Sequence, residues 1–75
     1  MDYSNIIERN PDILLGKPIL KGTRISVELI VRKLSEGQSV DQLIESYPHL
    51  NKSQISGALA YAADIIANED IVESV

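Results

Sequence analysis

The run Gly16-Lys17-Pro18-Ile19-Leu20-Lys21-Gly22-Thr23-Arg24-Ile25-Ser26-Val27 constrains the fold more than any other stretch of the chain. Two glycines and a proline in so short a span exclude regular helix. Glycine reaches backbone conformations that other residues avoid, and proline fixes φ and lacks an N–H donor. The segment predicts a short extended ribbon with tight corners. Residues 6–25 as a whole read as one or two short strands with turns. Ile6-Ile7-Glu8 is β-prone, Asn10-Pro11-Asp12 breaks it with turn chemistry, Ile13-Leu14-Leu15 ends at Gly16, and Ile19-Leu20 lies between Pro18 and Gly22. An isolated two-stranded hairpin is barely stable in water. Its edges are therefore expected to pair across a dimer.

Helical spacing takes over at Ser26, an N-cap residue type with Glu28 in the first turn behind it. Val27, Ile30, Val31 and Leu34 recur with helical period, and Gly37 is a natural stop, so the first helix is predicted over 27–36. Ser39 with Gln42 three residues later has the spacing of a capping box and opens a second helix, with Val40, Leu43, Ile44 and Tyr47 on one face. Pro48 ends it, because the residue before a proline avoids the α region. Asn51 or Ser53 caps a third helix with an apolar stripe of Ile55, Ala58, Leu59, Ala62 and Ile66. The predicted fold is mainly α. It is one domain, with a β-rich segment at 6–25, three helices in a helix-turn-helix arrangement over 26–67, and an acidic tail at 68–75.

Composition bounds the rest. A chain of 75 residues has a small core, so a homodimer is expected. It has no cysteine, which excludes disulfides and thiolate-bound metal and fits a reducing cytoplasm. No apolar run approaches the roughly 20 residues that span a bilayer. Met1-Asp2-Tyr3-Ser4-Asn5 lacks the basic start of a signal peptide, so a cytoplasmic protein without membrane contact is expected.

The net charge of -4 opposes nucleic-acid binding, but its distribution does not. Residues 1–33 hold six bases against four acids, while residues 34–75 hold Lys52 alone against seven acids. A basic head and an acidic tail point to two surfaces for two partners. In a helix-turn-helix module the leading end of the second helix meets base edges. Here that end carries Lys52, Ser53, Gln54, Ser56 and Gly57. Ser and Gln can hydrogen-bond bases, Gln bidentately to adenine, and Lys52 can meet a phosphate. Lys17, Lys21 and Arg24 of the head are candidates for phosphate contacts, and Arg24 is equally suited to a carboxylate across a dimer. Gly57 inside a helix costs about 1 kcal/mol relative to alanine. It fits a close approach of another helix, an approach of the DNA backbone, or a tolerated surface site. His49 has no partner at ligand spacing, so no metal site or cofactor is expected. No nucleophile stands near a base, which argues against an enzyme.

These residues carry a resemblance. The Gly16-to-Val27 run, Leu34 to Gly37, Ser39-Val40, Tyr47-Pro48-His49-Leu50, Gln54-Ile55 and Ala58-Leu59-Ala60-Tyr61-Ala62 look like the bacterial and archaeal domain-of-unknown-function family 433, over about residues 5–67. The motif residues are Gly16, Lys17, Pro18, Gly22, Thr23, Arg24, Tyr47 and Pro48. The resemblance implies a homeodomain-like helix-turn-helix core with an N-terminal β element. It also implies a likeness to VapB-type antitoxins, which would bind operator DNA as dimers and neutralise a PIN-like ribonuclease toxin. In that setting Asp64, Ile65, Ile66, Glu69, Ile71 and Val72, where apolar residues mix with carboxylates, form a candidate toxin-binding segment. The rival reading is a protein-interaction or dimerisation module that never touches nucleic acid.

Overall fold

The computed structural model describes residues 2–68. Two strands, β1 (Ile7–Glu8) and β2 (Ile19–Leu20), precede three helices, α1 (Val27–Ser35), α2 (Val40–Ser46) and α3 (Lys52–Ala67). The sheet is antiparallel, with Ile7 opposite Leu20 and Glu8 opposite Ile19. A further antiparallel bridge joins Ile19 to Ser26 on the other side of β2. The free edge of the sheet is therefore the two residues of β1, which gives edge-to-edge pairing with a second chain little to work on.

The glycine-proline run turns out to be a clamp on the start of α1. Val27 donates to the Pro18 carbonyl at 3.0 Å, and Leu20 donates to the Ile25 carbonyl at 2.9 Å. Between them Thr23 donates to the Leu20 carbonyl at 3.0 Å, with Gly22 at φ 79° in the position where a type II turn requires positive φ. The Thr23 hydroxyl closes the corner, donating to the Leu20 carbonyl and accepting from the Ile25 N–H. The Ser26 side chain then caps α1, accepting from the Leu29 N–H.

The segment between the strands holds a departure from the sequence reading. Leu14–Gly16 form a single short turn in which all three residues have positive φ, at 49°, 58° and 80°. Glycine takes this region without cost, but a leucine there is strained by about 1–2 kcal/mol.

The predicted capping box of Ser39 with Gln42 is present, and a second one, not expected from sequence, joins Asn51 with Gln54. Asn51 rather than Ser53 is thus the cap of α3. The core gathers Ile7, Ile19, Leu20, Val27, Ile30, Leu43, Leu50, Ile55 and Ala58. The predicted apolar stripe of α3 holds at Ile55 and Ala58 and then leaves the core: Leu59 is 38% exposed and Ile66 67%. On α1, Val31 is likewise 38% exposed. Among the described residues no helix is long and apolar enough to cross a membrane.

Candidate nucleic-acid interface

α3 begins immediately after the five residues Tyr47–Asn51 that separate it from α2. Lys52, Ser53 and Ser56 are exposed on its leading turn, and Gln54 is half-buried. The Gln54 side chain is committed locally. Its Oε1 accepts from the Asn51 N–H at 2.9 Å while the Asn51 side chain accepts from the Gln54 N–H at 2.8 Å. Bidentate pairing with adenine needs both ends of the amide, so it would dissolve this cap. With the cap intact Gln54 offers only its Nε2 donors. Lys52 lies 4.0 Å from Asp41 of α2, with both side chains largely in solvent. An exposed pair at that separation holds neither group firmly.

Gly57 is not part of this surface, contrary to the expectation from sequence. It is buried, and a Cβ at this position would stand 2.7 Å from Ile6 Cδ1 and 3.1 Å from Ile6 Cγ2. The glycine admits a turn of its own chain's N-terminal segment, rather than another helix or a DNA backbone, and it is not a surface site. This contact has a consequence for the basic head. Ile6 also accepts, through its carbonyl, from the Lys21 N–H at 2.7 Å. Lys21 therefore sits one hydrogen bond away from the segment docked on the first half of α3. Its ammonium donates to the Ser4 carbonyl at a long 3.3 Å.

The other head cations differ in how free they are. Lys17 is engaged, 2.9 Å from Glu28, which also holds Arg32 at 3.0 Å. The ammonium of Lys17, and after it the guanidinium of Arg32, hold the Glu28 carboxyl below the usual carboxylate range. Lys17 is thus part of an ion-paired cluster rather than an uncommitted phosphate contact. Arg24 is exposed and makes no hydrogen bond or ion pair among the described residues. Gly22 and Thr23 have evident structural work, and Arg24 beside them has none.

At the far end of α3 the picture is different. The Tyr3 hydroxyl donates to the Asp64 carboxylate, and the Tyr3 ring meets Tyr61 edge-on at 5.4 Å. The Arg9 guanidinium donates to the Tyr61 hydroxyl at 3.1 Å. The hydrogen bond to Asp64 favours the neutral phenol and pushes the Tyr3 pKa above its ordinary value. Beside this cluster a groove of about 430 Å³ runs between α1 and α3, with Val31, Ala62, Ile65 and Ile66 in its wall and Arg9, Glu28 and Arg32 on its rim. Arg9, Tyr3 and Val31 were not singled out as site residues from sequence. Their partners are distant in the chain, so no local signal marks them. Of the expected toxin-binding segment, Asp64, Ile65 and Ile66 are exposed on this end of α3, while Glu69, Ile71 and Val72 lie outside the described residues.

The comparisons bear on this architecture as a whole. No solved structure matches the chain. "Uncharacterized protein y4eO" of Sinorhizobium fredii (strain NBRC 101917 / NGR234) is 37% identical over 57 residues, which is 76% of this chain and 26% of that protein. The chain thus spans about a quarter of the relative it matches. The model of the family "Protein of unknown function (DUF433)" matches residues 7–62, from the first strand to the middle of α3. The match takes in the clamp, both capping boxes and Gly57, and the chain belongs to this family.

Proposed function

We propose that this chain is a small DNA-binding, antitoxin-like regulator that acts as a homodimer, holds the operator of its own operon and neutralises a PIN-like ribonuclease. The α2–α3 pair serves as the helix-turn-helix. The observation that carries the reading is the exposed leading turn of α3, with Lys52, Ser53 and Ser56 facing solvent right after the Tyr47–Asn51 corner. Ser53 and Ser56 supply hydroxyls for base edges and Lys52 a phosphate contact. Lys21 and Arg24 extend the basic surface from the β2–α1 turn. The toxin would take the acidic segment that starts at Asp64 and runs on through Glu69, Ile71 and Val72.

A mobility shift with the DNA upstream of the chain's own gene, run over a range of salt, tests the DNA half. Phosphate contacts make affinity fall with salt, and each cation lost lowers the slope of log K against log salt by about 1. Arg24→Ala and Lys52→Ala are expected to weaken binding and flatten that slope, and Ser53→Ala to relax sequence preference. Absence of binding even at low salt defeats the reading. Co-purification with a co-expressed PIN-like nuclease, lost in Ile71→Glu, tests the toxin half.

A second reading, a protein-interaction module without nucleic acid, is favoured by one specific observation. Asp41 stands beside the only base on α3, in a chain of net charge -4. It expects the mobility shift to be blank while protein partners are retained.

A further inference from the structure

Six large apolar side chains are exposed among the described residues, and three of them, Val31, Ile65 and Ile66, line the groove between α1 and α3. Ile66 is 67% exposed and Ile65 41%. An apolar strip of this kind on a small domain, rimmed by charge, is the usual mark of a protein contact. The rim carries both signs: Glu28 and Arg32 stand paired on α1, Arg9 lies beside Tyr61, and Asp64 lies along α3 next to Ile65. A patch that is apolar along its middle and holds both cations and anions at its margin is complementary to itself. Self-complementary patches close as two-fold pairs, in which each residue meets on the partner what the partner meets on it.

We infer that the α1–α3 groove is the seam on which a second copy of this chain seats, with the trailing halves of the two α3 helices antiparallel and Ile65 and Ile66 at the two-fold. The strand edges have no part in it, since the free edge of the sheet is two residues long. Arg9, held over the groove by its bond to the Tyr61 hydroxyl, and Arg32 guard the rim of the seam.

The placement has a consequence for the proposed regulator, and this step rests on that reading. Ser53 and Ile65 are twelve residues apart on α3, about 18 Å of helix at about 1.5 Å per residue. A two-fold at Ile65 then sets the two leading turns about 36 Å apart, close to the roughly 34–36 Å between successive major grooves on one face of DNA. Pairing at the trailing end of α3 leaves both leading ends free and gives them the span of one helical turn.

The test begins with sedimentation equilibrium on the full chain. The wild type is expected to be a dimer, and Ile66→Glu and Val31→Glu each to weaken it about tenfold or more. Leu15→Glu changes an exposed leucine outside the groove and is expected to leave the dimer intact. A chain that is monomeric at high concentration, or a dimer that Leu15→Glu breaks and Ile66→Glu does not, overturns the seam. A cysteine scan supplies a readout that needs no loss of folding, because the chain has no cysteine of its own. Ile66→Cys is expected to form a disulfide-linked dimer under mild oxidation. Ser53→Cys is expected to stay reduced, since a disulfide needs Cα atoms within about 7 Å. The opposite pattern overturns the proposal. Hydroxyl-radical footprinting on the upstream DNA is expected to show two protected segments about one turn apart, and another spacing overturns the antiparallel placement. A dimer that maps to the groove but binds no DNA upholds the seam and defeats the regulator reading alone.

Discussion

Ile6 fills the space that any side chain at position 57 would need. Its Cδ1 and Cγ2 lie 2.7 Å and 3.1 Å from where a Cβ on Gly57 would stand. The half-buried isoleucine thereby pins the segment before β1 to the middle of α3. The same residue accepts the Lys21 N–H through its carbonyl. One contact therefore ties together the N-terminal segment, the basic turn and the helix whose leading end is proposed to read DNA.

Gly57→Ala is expected to destabilise the protein even though alanine is the better helix former. The helical gain is about 1 kcal/mol. Against it stands overpacking, typically about 1–3 kcal/mol, on a β-branched side chain whose χ1 is stiff. A net loss of about 1 kcal/mol in urea unfolding is expected. Ile6→Val removes the Cδ1 that collides first, so Gly57→Ala should cost less in that background. Equal costs in both backgrounds would show that the contact does not set the choice of glycine.

Asn51→Ala is expected to cost about 1 kcal/mol, the usual worth of an N-cap, by orphaning the Gln54 N–H. Gln54→Ala removes only the reciprocal bond to the Asn51 N–H and should cost less. The two substitutions also separate cap from contact in DNA binding. Gln54→Ala lowers affinity if its Nε2 meets a base. If Gln54 serves only the cap, Gln54→Ala leaves affinity unchanged once both proteins are folded. Urea midpoints and mobility shifts on the same preparations check both.

The Ser39–Gln42 capping box, the stop at Gly37 and the corner before Pro48 were legible because each is a relation between residues close in the chain, whereas Asn51 and Ser53 were equally good caps for α3 until the Asn51–Gln54 pair was seen. The glycine-proline run was legible as strand and turn for the same reason. Only its purpose as a clamp on α1 needed the structure, since it depends on the Pro18–Val27 and Leu20–Ile25 pairings. Gly57 was not legible, because its reason is Ile6, on the far side of the sequence. The end of the α3 stripe was not legible either. Ile66 has the right period for the core, but α3 outruns the elements that cover it, and only the docked structure shows where cover stops.

Leu15 is the clearest case of a residue at odds with its own backbone. It holds φ 58° and ψ 31° and is 94% exposed. Nothing is gained from burial to offset the left-handed strain of about 1–2 kcal/mol. Leu15→Asn keeps a side chain that tolerates this region and gives up little packing. It is expected to raise stability by about 0.5–1 kcal/mol in chemical denaturation. A loss instead would mean that Leu15 makes contacts which its exposure conceals.

The Tyr3–Asp64 hydrogen bond makes docking of the N-terminal segment sensitive to alkali. The carboxylate accepts from the neutral phenol, and this bond, with burial and the negative charge of Asp64 behind it, raises the Tyr3 pKa. A group whose folded pKa is raised contributes stability that is fully present below its unfolded value, about 10 for a phenol, and is lost as pH rises through the folded value. Stability should therefore decline across that alkaline window. Tyrosinate absorbance near 295 nm follows the step directly. Tyr3→Phe should remove one of the three tyrosine transitions, and Asp64→Asn should bring the Tyr3 transition back towards the ordinary phenol value. Because Arg9 reaches the groove through Tyr61, which packs edge-on against Tyr3, the same variants should loosen the self-association proposed for that face. If Asp64→Asn leaves the tyrosine titration untouched, the hydroxyl has no such partner in solution, and the alkaline sensitivity must come from elsewhere.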